Sequence, residues 1–170
     1  PTVMSFYWDA LAKVGASARA KLNVGHILQT GVALHMERNW IAEPERRRVW
    51  EALRGTVPWA TKRWNLLKLP QMAYHYNKTA REQKPLAILE EIIAKLESEH
   101  SGWVVSEVWC NLFCDPKHRI EWHQDQYGEH LFVFSAGSSR KVQFRTLKDK
   151  EHVNTLEPED GSLYYMHPEF

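Results

Sequence analysis

Cysteine is scarce in this sequence: only Cys110 and Cys114 occur, four residues apart in one segment. Two are too few for a disulfide framework or a zinc site, which points to a reducing intracellular compartment, with nucleus, cytoplasm and mitochondrion left open. No apolar run approaches the roughly 20 residues that a membrane-spanning helix needs, so no membrane partner is expected. Neither sign of charge dominates. The formal net charge is +1, too small to announce a nucleic-acid partner and too small to exclude one. Internal repeats and low-complexity tracts are also missing, which removes solenoids from consideration.

What the chain does have is 170 residues, 44% of them hydrophobic and 25% charged. That length favours one domain with a sizeable core. Eight tryptophans are present. Large aromatics fill cores and line pockets equally well, so core packing is the default for any single one.

The first thirty residues differ from the rest. Residues 10–20 are alanine-rich, with Lys13, Arg19 and then Lys21 against a single acid, Asp9. They read as part of an N-terminal helical extension over residues 1–30, or else as the remnant of a targeting segment. Residues 31–170 then make up the main domain. Its opening, residues 31–41, allows a strand. Glu43, Pro44 and Glu45 supply the acids and early proline of a helix start, Val49, Trp50 and Leu53 its apolar stripe, and Gly55 its stop. Arg46, Arg47 and Arg48 on that helix read as a solvated face, with a nucleic-acid patch as the alternative. Pro85 opens a second helix in which Leu86, Leu89, Ile93 and Leu96 repeat at three and four residues, widened by Ile88 and Ile92. Glu91 and Lys95 are spaced for an i,i+4 pair.

After Ser101 the pattern changes. Residues 104–113, 131–135, 141–147 and 162–166 are short β-branched or aromatic runs. Turn signals separate them, among them Asp115-Pro116, Tyr127-Gly128, Ala136-Gly137-Ser138 and Glu159-Asp160-Gly161. Helices first and strands after predict an α+β domain whose β part is a sandwich or a jelly roll, with supporting N-terminal helices.

His123 and Asp125 stand two apart in Ile120-Glu121-Trp122-His123-Gln124-Asp125. In an extended segment such residues project from one face. An imidazole and a carboxylate so placed suit adjacent positions on one metal ion, and two histidines with one carboxylate form the facial set of non-haem iron oxygenases. Alone, a His-x-Asp pair is weak, because a surface histidine gives the same letters. The preceding run supplies context: alternation puts Val105, Trp109, Asn111 and Phe113 on one face. A buried asparagine there needs a hydrogen-bond partner, either structural or a bound acidic cosubstrate.

Three stretches together resemble the central block of AlkB-like dioxygenases: Cys110-Asn111-Leu112-Phe113, then residues 119–125 with the His-x-Asp pair, then Phe134-Ser135-Ala136-Gly137-Ser138-Ser139-Arg140. Upstream, residues 69–74 look like the family's Pro-Arg segment, and residues 156–166 look like the strand before its distal histidine. The resemblance covers about residues 31–170. It implies a double-stranded β-helix that binds Fe(II) and 2-oxoglutarate, with His123 and Asp125 as metal ligands and Asn111 and Phe113 beside the cosubstrate. The implied reaction couples decarboxylation of 2-oxoglutarate to succinate with hydroxylation of a substrate, for most members an N-methyl group on a nucleobase of DNA or RNA. Trp59, Trp64, Tyr74 and Tyr76 fall where the family builds its substrate lid, and Lys62, Arg63 and Lys68 are candidates for a phosphate-binding rim.

The sequence also departs from the family. The distal histidine and the cosubstrate-binding arginines of the pattern fall beyond Phe170, and His167 is a weak substitute for the third ligand. Phe113 stands where the family has a tyrosine, a loss of one charge-assisted hydrogen bond on the order of 1.5–3 kcal/mol. Two expectations therefore stand side by side: a nucleic-acid demethylase, or a degenerate module kept as a binding or structural subunit of a protein complex.

Overall fold

The computed structural model describes residues 3–9, 34–62, 71–78, 80–99, 104–124, 131–145, 148–151 and 153–166. Two helices form where the sequence carries start signals and apolar stripes, the first running through Gly55, the predicted stop, to Thr56. Helix α1 (Glu43–Thr56) has Glu43 and Glu45 at its electropositive end and Pro44 where a missing N–H costs nothing. Helix α2 (Ala87–Glu99) buries Ile88, Leu89, Ile92, Ile93 and Leu96 as one stripe.

The expected Glu91–Lys95 pair does not form. Arg48 reaches across from α1 and grips both oxygens of Glu91, at 3.0 Å on one arm, while Lys95 turns to Glu99. A planar guanidinium that engages a carboxylate twice outcompetes an ammonium on the same helix. The hydrogen bond to Arg48 also holds the Glu91 carboxyl below its usual range. The neighbouring arginines are committed too: Arg47 to Glu51 at 2.9 Å, and Arg46 to the Ile41 carbonyl at 3.0 Å. Arg47 and Arg48 are exposed on this helix, as a solvated face requires.

Nine strands are described: β1 (Val3–Asp9), β2 (Leu34–Glu37), β3 (Ala60–Lys62), β4 (Gln71–Asn77), β5 (Glu107–Phe113), β6 (Leu131–Gly137), β7 (Val142–Phe144), β8 (Asn154–Leu156) and β9 (Ser162–Met166). Seven form one sheet in the order β2-β9-β6-β1-β5-β4-β3, and β7 pairs with β8 separately. Every pairing is antiparallel. The domain is thus α+β, as the patterning predicts, and the described strands do not close into a barrel.

Two expectations need correction. Strands do not simply follow helices, because β1 to β4 come from the first half of the chain. Residues 3–9, assigned above to a helical extension, form the strand at the centre of the large sheet, in seven-residue register with both β5 and β6. Such pairings join residues 98 to 134 positions apart, and local periodicity does not encode them. The alanine-rich residues 10–20 lie outside the described residues.

The large sheet has two distinct faces. On one, Tyr76 of β4, Val108, Cys110 and Leu112 of β5, Phe132, Phe134 and Ala136 of β6, and Leu163 and Tyr165 of β9 meet α1 and α2 in the main core. Val105 joins this core as well. It precedes β5, so the alternation that grouped it with Trp109 does not reach it. On the other face Leu131, Val133 and Tyr164 pack with Phe144 of β7, Phe144 meeting Tyr164 edge to face at 5.9 Å. The small sheet therefore covers the side turned away from the helices.

The Glu159-Asp160-Gly161 turn locks β9 to its neighbours. Gly161 adopts φ +79°, its N–H donates to the Ser135 carbonyl at 2.8 Å, and its carbonyl accepts from Ile41 at 2.9 Å. A Cβ there would stand 2.8 Å from both the Ile41 carbonyl oxygen and Arg46 Nε. Asp160 in turn accepts from the Gly137 N–H at 2.8 Å.

Candidate functional site

Strand β5 carries the centre of the site. Its alternation sends Val108, Cys110 and Leu112 to the helices and leaves Glu107, Trp109, Asn111 and Phe113 on the face toward the small sheet. Asn111 is 3% exposed. Register links it to Ala73 on β4, and through Ser5 of β1 to Ser135 on β6 and Ser162 on β9. Asn111, Ser135 (7% exposed) and Ser162 (0%) are the buried polar residues among those described. All three stand in this single row. At ~4.8 Å per strand, Ser135 and Asn111 are ~10 Å apart, a span that a small dicarboxylate and its hydrogen bonds can bridge. Ala73 sets only a methyl group beside Asn111. Next to Ser135, the Ser162 hydroxyl has no hydrogen-bond partner among the described residues.

Phe113 flanks Asn111 along β5, on one side of the row. It is 6% exposed, and the Arg140 guanidinium lies over its ring at 4.5 Å while donating to the His118 carbonyl. On the other side of the row, His75 stacks on Trp109. His75 Nε2 meets Glu107 Oε2 at 3.0 Å, and Asn77 Nδ2 donates to Glu107 Oε1 at 3.2 Å. Sequence reasoning missed His75, Glu107 and Ser135. The two-residue alternation through Tyr74 and Tyr76 would have found His75, had residues 71–77 been recognised as a strand.

His123 is exposed and lies in an irregular segment rather than a strand. Its Nδ1 is 2.8 Å from the Glu121 carbonyl oxygen. An imidazole that donates from Nδ1 to a carbonyl carries its lone pair on Nε2, the tautomer that metal-binding histidines use. Asp125, Trp64 and His167 lie outside the described residues. Among the described residues no three His, Cys, Asp or Glu side chains cluster to hold a metal ion.

Of the expected substrate aromatics, the three described ones, Trp59, Tyr74 and Tyr76, are not brought to this face. Tyr76 is 3% exposed in the main core, with its hydroxyl donating to Glu90 of α2. Tyr74 and Trp59 pack against the same core. The reason is again the strand period: residues 72, 74 and 76 of β4 share the helix side. Lys62 has a described backbone in β3, and Arg63 and Lys68 lie outside the described residues. Comparison of the chain with protein-family models, with curated proteins and with solved structures finds no match in any of the three.

Proposed function

We propose that the chain is an AlkB-like, Fe(II)- and 2-oxoglutarate-dependent dioxygenase that removes N-methyl groups from nucleobases. In this reading the two sheets are the major and minor sheets of a double-stranded β-helix. The observation that carries it is the row of buried polar side chains, Asn111, Ser135 and Ser162, on the one sheet face that the small sheet covers. The Ser162 hydroxyl of this row has no hydrogen-bond partner among the described residues, and buried polar side chains gathered on one face of an otherwise apolar sheet suit a small polar ligand.

The donor chemistry fits the two groups. Asn111 offers an amide donor and acceptor, and Arg140, beside Phe113, a guanidinium for a carboxylate. His123 holds its Nδ1 against a backbone carbonyl, as a ligating imidazole does, and Asp125 is its proposed companion. Iron bound there supplies oxygen activation coupled to 2-oxoglutarate decarboxylation. The chain's own side chains orient the cosubstrate and exclude water behind Phe113 and Trp109, and the Glu121 carbonyl fixes the His123 ring.

Phe113 favours a second reading, a degenerate module that binds without turnover, because a phenyl ring cannot donate the hydrogen bond of the family's tyrosine. Calorimetry with Mn(II), a redox-stable stand-in for Fe(II), separates the two. The enzyme reading expects Mn(II) binding that His123→Ala and Asp125→Ala each weaken by at least about tenfold. Identical Mn(II) binding in all three proteins sinks it and leaves the module. Succinate release with Fe(II), ascorbate and a methylated oligonucleotide is the second measurement.

A further inference from the structure

Trp122 is 44% exposed, and few large apolar side chains stand so far out of the described surface. The Arg145 guanidinium lies 4.0 Å from its ring centroid, closer than Arg140 lies to Phe113. Most other arginines spend their donors on the protein: Arg38, Arg47, Arg48 and Arg119 each hold a carboxylate. Arg145 makes no hydrogen bond or ion pair among the described residues. It is a planar cation with its donor fork unspent, placed over the ring of an exposed indole.

The two segments that carry this pair are rich in basic residues although the whole chain is nearly neutral. Two contacts, Arg140 to the His118 carbonyl and Arg145 over Trp122, tie residues 117–124 alongside residues 140–145. Residues 117–124 and 140–145 include Lys117, Arg119, Arg140, Lys141 and Arg145 but one acid, Glu121, and Asp125 and Glu129 of the sequence between them lie outside the described residues. Arg119 already neutralises that acid at 2.8 Å. His123, next in sequence to Trp122, stands on the same exposed segment.

We propose that Trp122 and Arg145 form a contact for single-stranded nucleic acid, an unpaired base stacking on the exposed indole while the guanidinium donates to an adjacent phosphate. Stacking is available to any base with a free face, and only an unpaired strand offers one to a side chain on the surface. An acidic peptide would satisfy Arg145 but leave the indole unused. The proposal takes its substrate class from the demethylase reading and adds to it how the strand is held beside His123.

The test is fluorescence anisotropy of a short labelled oligothymidylate with the full chain and no added metal, across a salt series. The single strand is expected to bind more tightly than a duplex of equal length. Trp122→Ala should weaken it about tenfold. Arg145→Ala should flatten the log–log salt slope by about 0.7, the loss of one phosphate contact. Arg47→Ala, on α1, should change neither. Unchanged affinity in Trp122→Ala overturns the proposal, as does equal binding of duplex, or displacement by polyglutamate as effective as by unlabelled oligonucleotide. Both substituted side chains are at the surface, and circular dichroism checks that the fold is kept. Oligonucleotide binding that persists without any His123-dependent metal binding sinks the oxygenase reading alone; the reverse pattern sinks this one alone.

Discussion

His75 lies almost flat on Trp109 across the β4–β5 pair, with ring centroids 3.9 Å apart and planes 14° from parallel. The same imidazole meets Glu107 at 3.0 Å, so one side chain ties the aromatic and the charged parts of the site's edge together. An aromatic pair of this kind contributes ~0.5–1.5 kcal/mol beyond the area it buries. His75→Phe keeps the stack and loses the carboxylate contact, whereas His75→Ala loses both. Urea denaturation should rank wild type above Phe and Phe above Ala, the last two separated by about 1 kcal/mol. Equal losses in both variants would show that the stack contributes nothing.

Gly161 tests the turn that locks β9. Alanine there must adopt φ +79° and push against the Ile41 carbonyl oxygen at 2.8 Å. Strain of that kind costs on the order of 1–3 kcal/mol. Gly161→Ala should fall in that range by chemical denaturation, while Gly55→Ala, whose Cβ would meet nothing within 4 Å, should be neutral or stabilising because it lies inside α1. A neutral Gly161→Ala would mean that the turn is not locked in this conformation.

Alkaline pH tests the β4–α2 contact. Burial first, and the Glu90 hydrogen bond second, push the Tyr76 hydroxyl up to about 12, against ~10 in an unfolded chain. Between those values the unfolded chain gives up its proton before the native one does. The stabilisation is therefore complete below about pH 10 and is lost as pH rises toward 12. Tyr76→Phe lacks this component, so its stability should fall less steeply over that window. Parallel curves for the two proteins would contradict the assignment. Tyr74, also raised by burial, is present in both and cancels.

The two thiols should behave oppositely. Cys110 is buried on the helix side of β5, and desolvation pushes its thiol well up, whereas Cys114 is exposed just past the strand. A thiol reagent such as DTNB should label one equivalent quickly at pH 8 and the second only with denaturant, because the thiolate is the reactive form. Two fast equivalents in the native protein would place Cys110 outside the core.

Phe113→Tyr tests the cosubstrate pocket. A hydroxyl added at this buried position restores the hydrogen bond that the family resemblance leads one to expect, on the order of 1.5–3 kcal/mol. Calorimetry should show 2-oxoglutarate binding tightened about tenfold or more. Unchanged or weaker binding would mean that Phe113 does not face a carboxylate.

The sequence by itself determined the helices, four of the five late strands (β8 being the exception) and the alternation within strands such as β5. Residues 43–55 and the stripe from Leu86 to Leu96 read correctly because capping and 3.6-residue periodicity act within a few residues. Ser162–Met166 and the Asp160-Gly161 turn were legible for the same reason. What only the tertiary structure decided was pairing. No local signal shows that Val3–Asp9 lies between β5 and β6, and without that strand Asn111 and Ser135 do not fall into one row. Nor does composition say which side of β4 meets the helices; α2 decided it by taking Tyr76 into the core, which turned Tyr74 inward as well and left His75 on the site face. Side-chain period is local, but the face that is buried depends on what packs against it. The row of polar residues is therefore a property of the assembled sheet, not of any one segment of the chain.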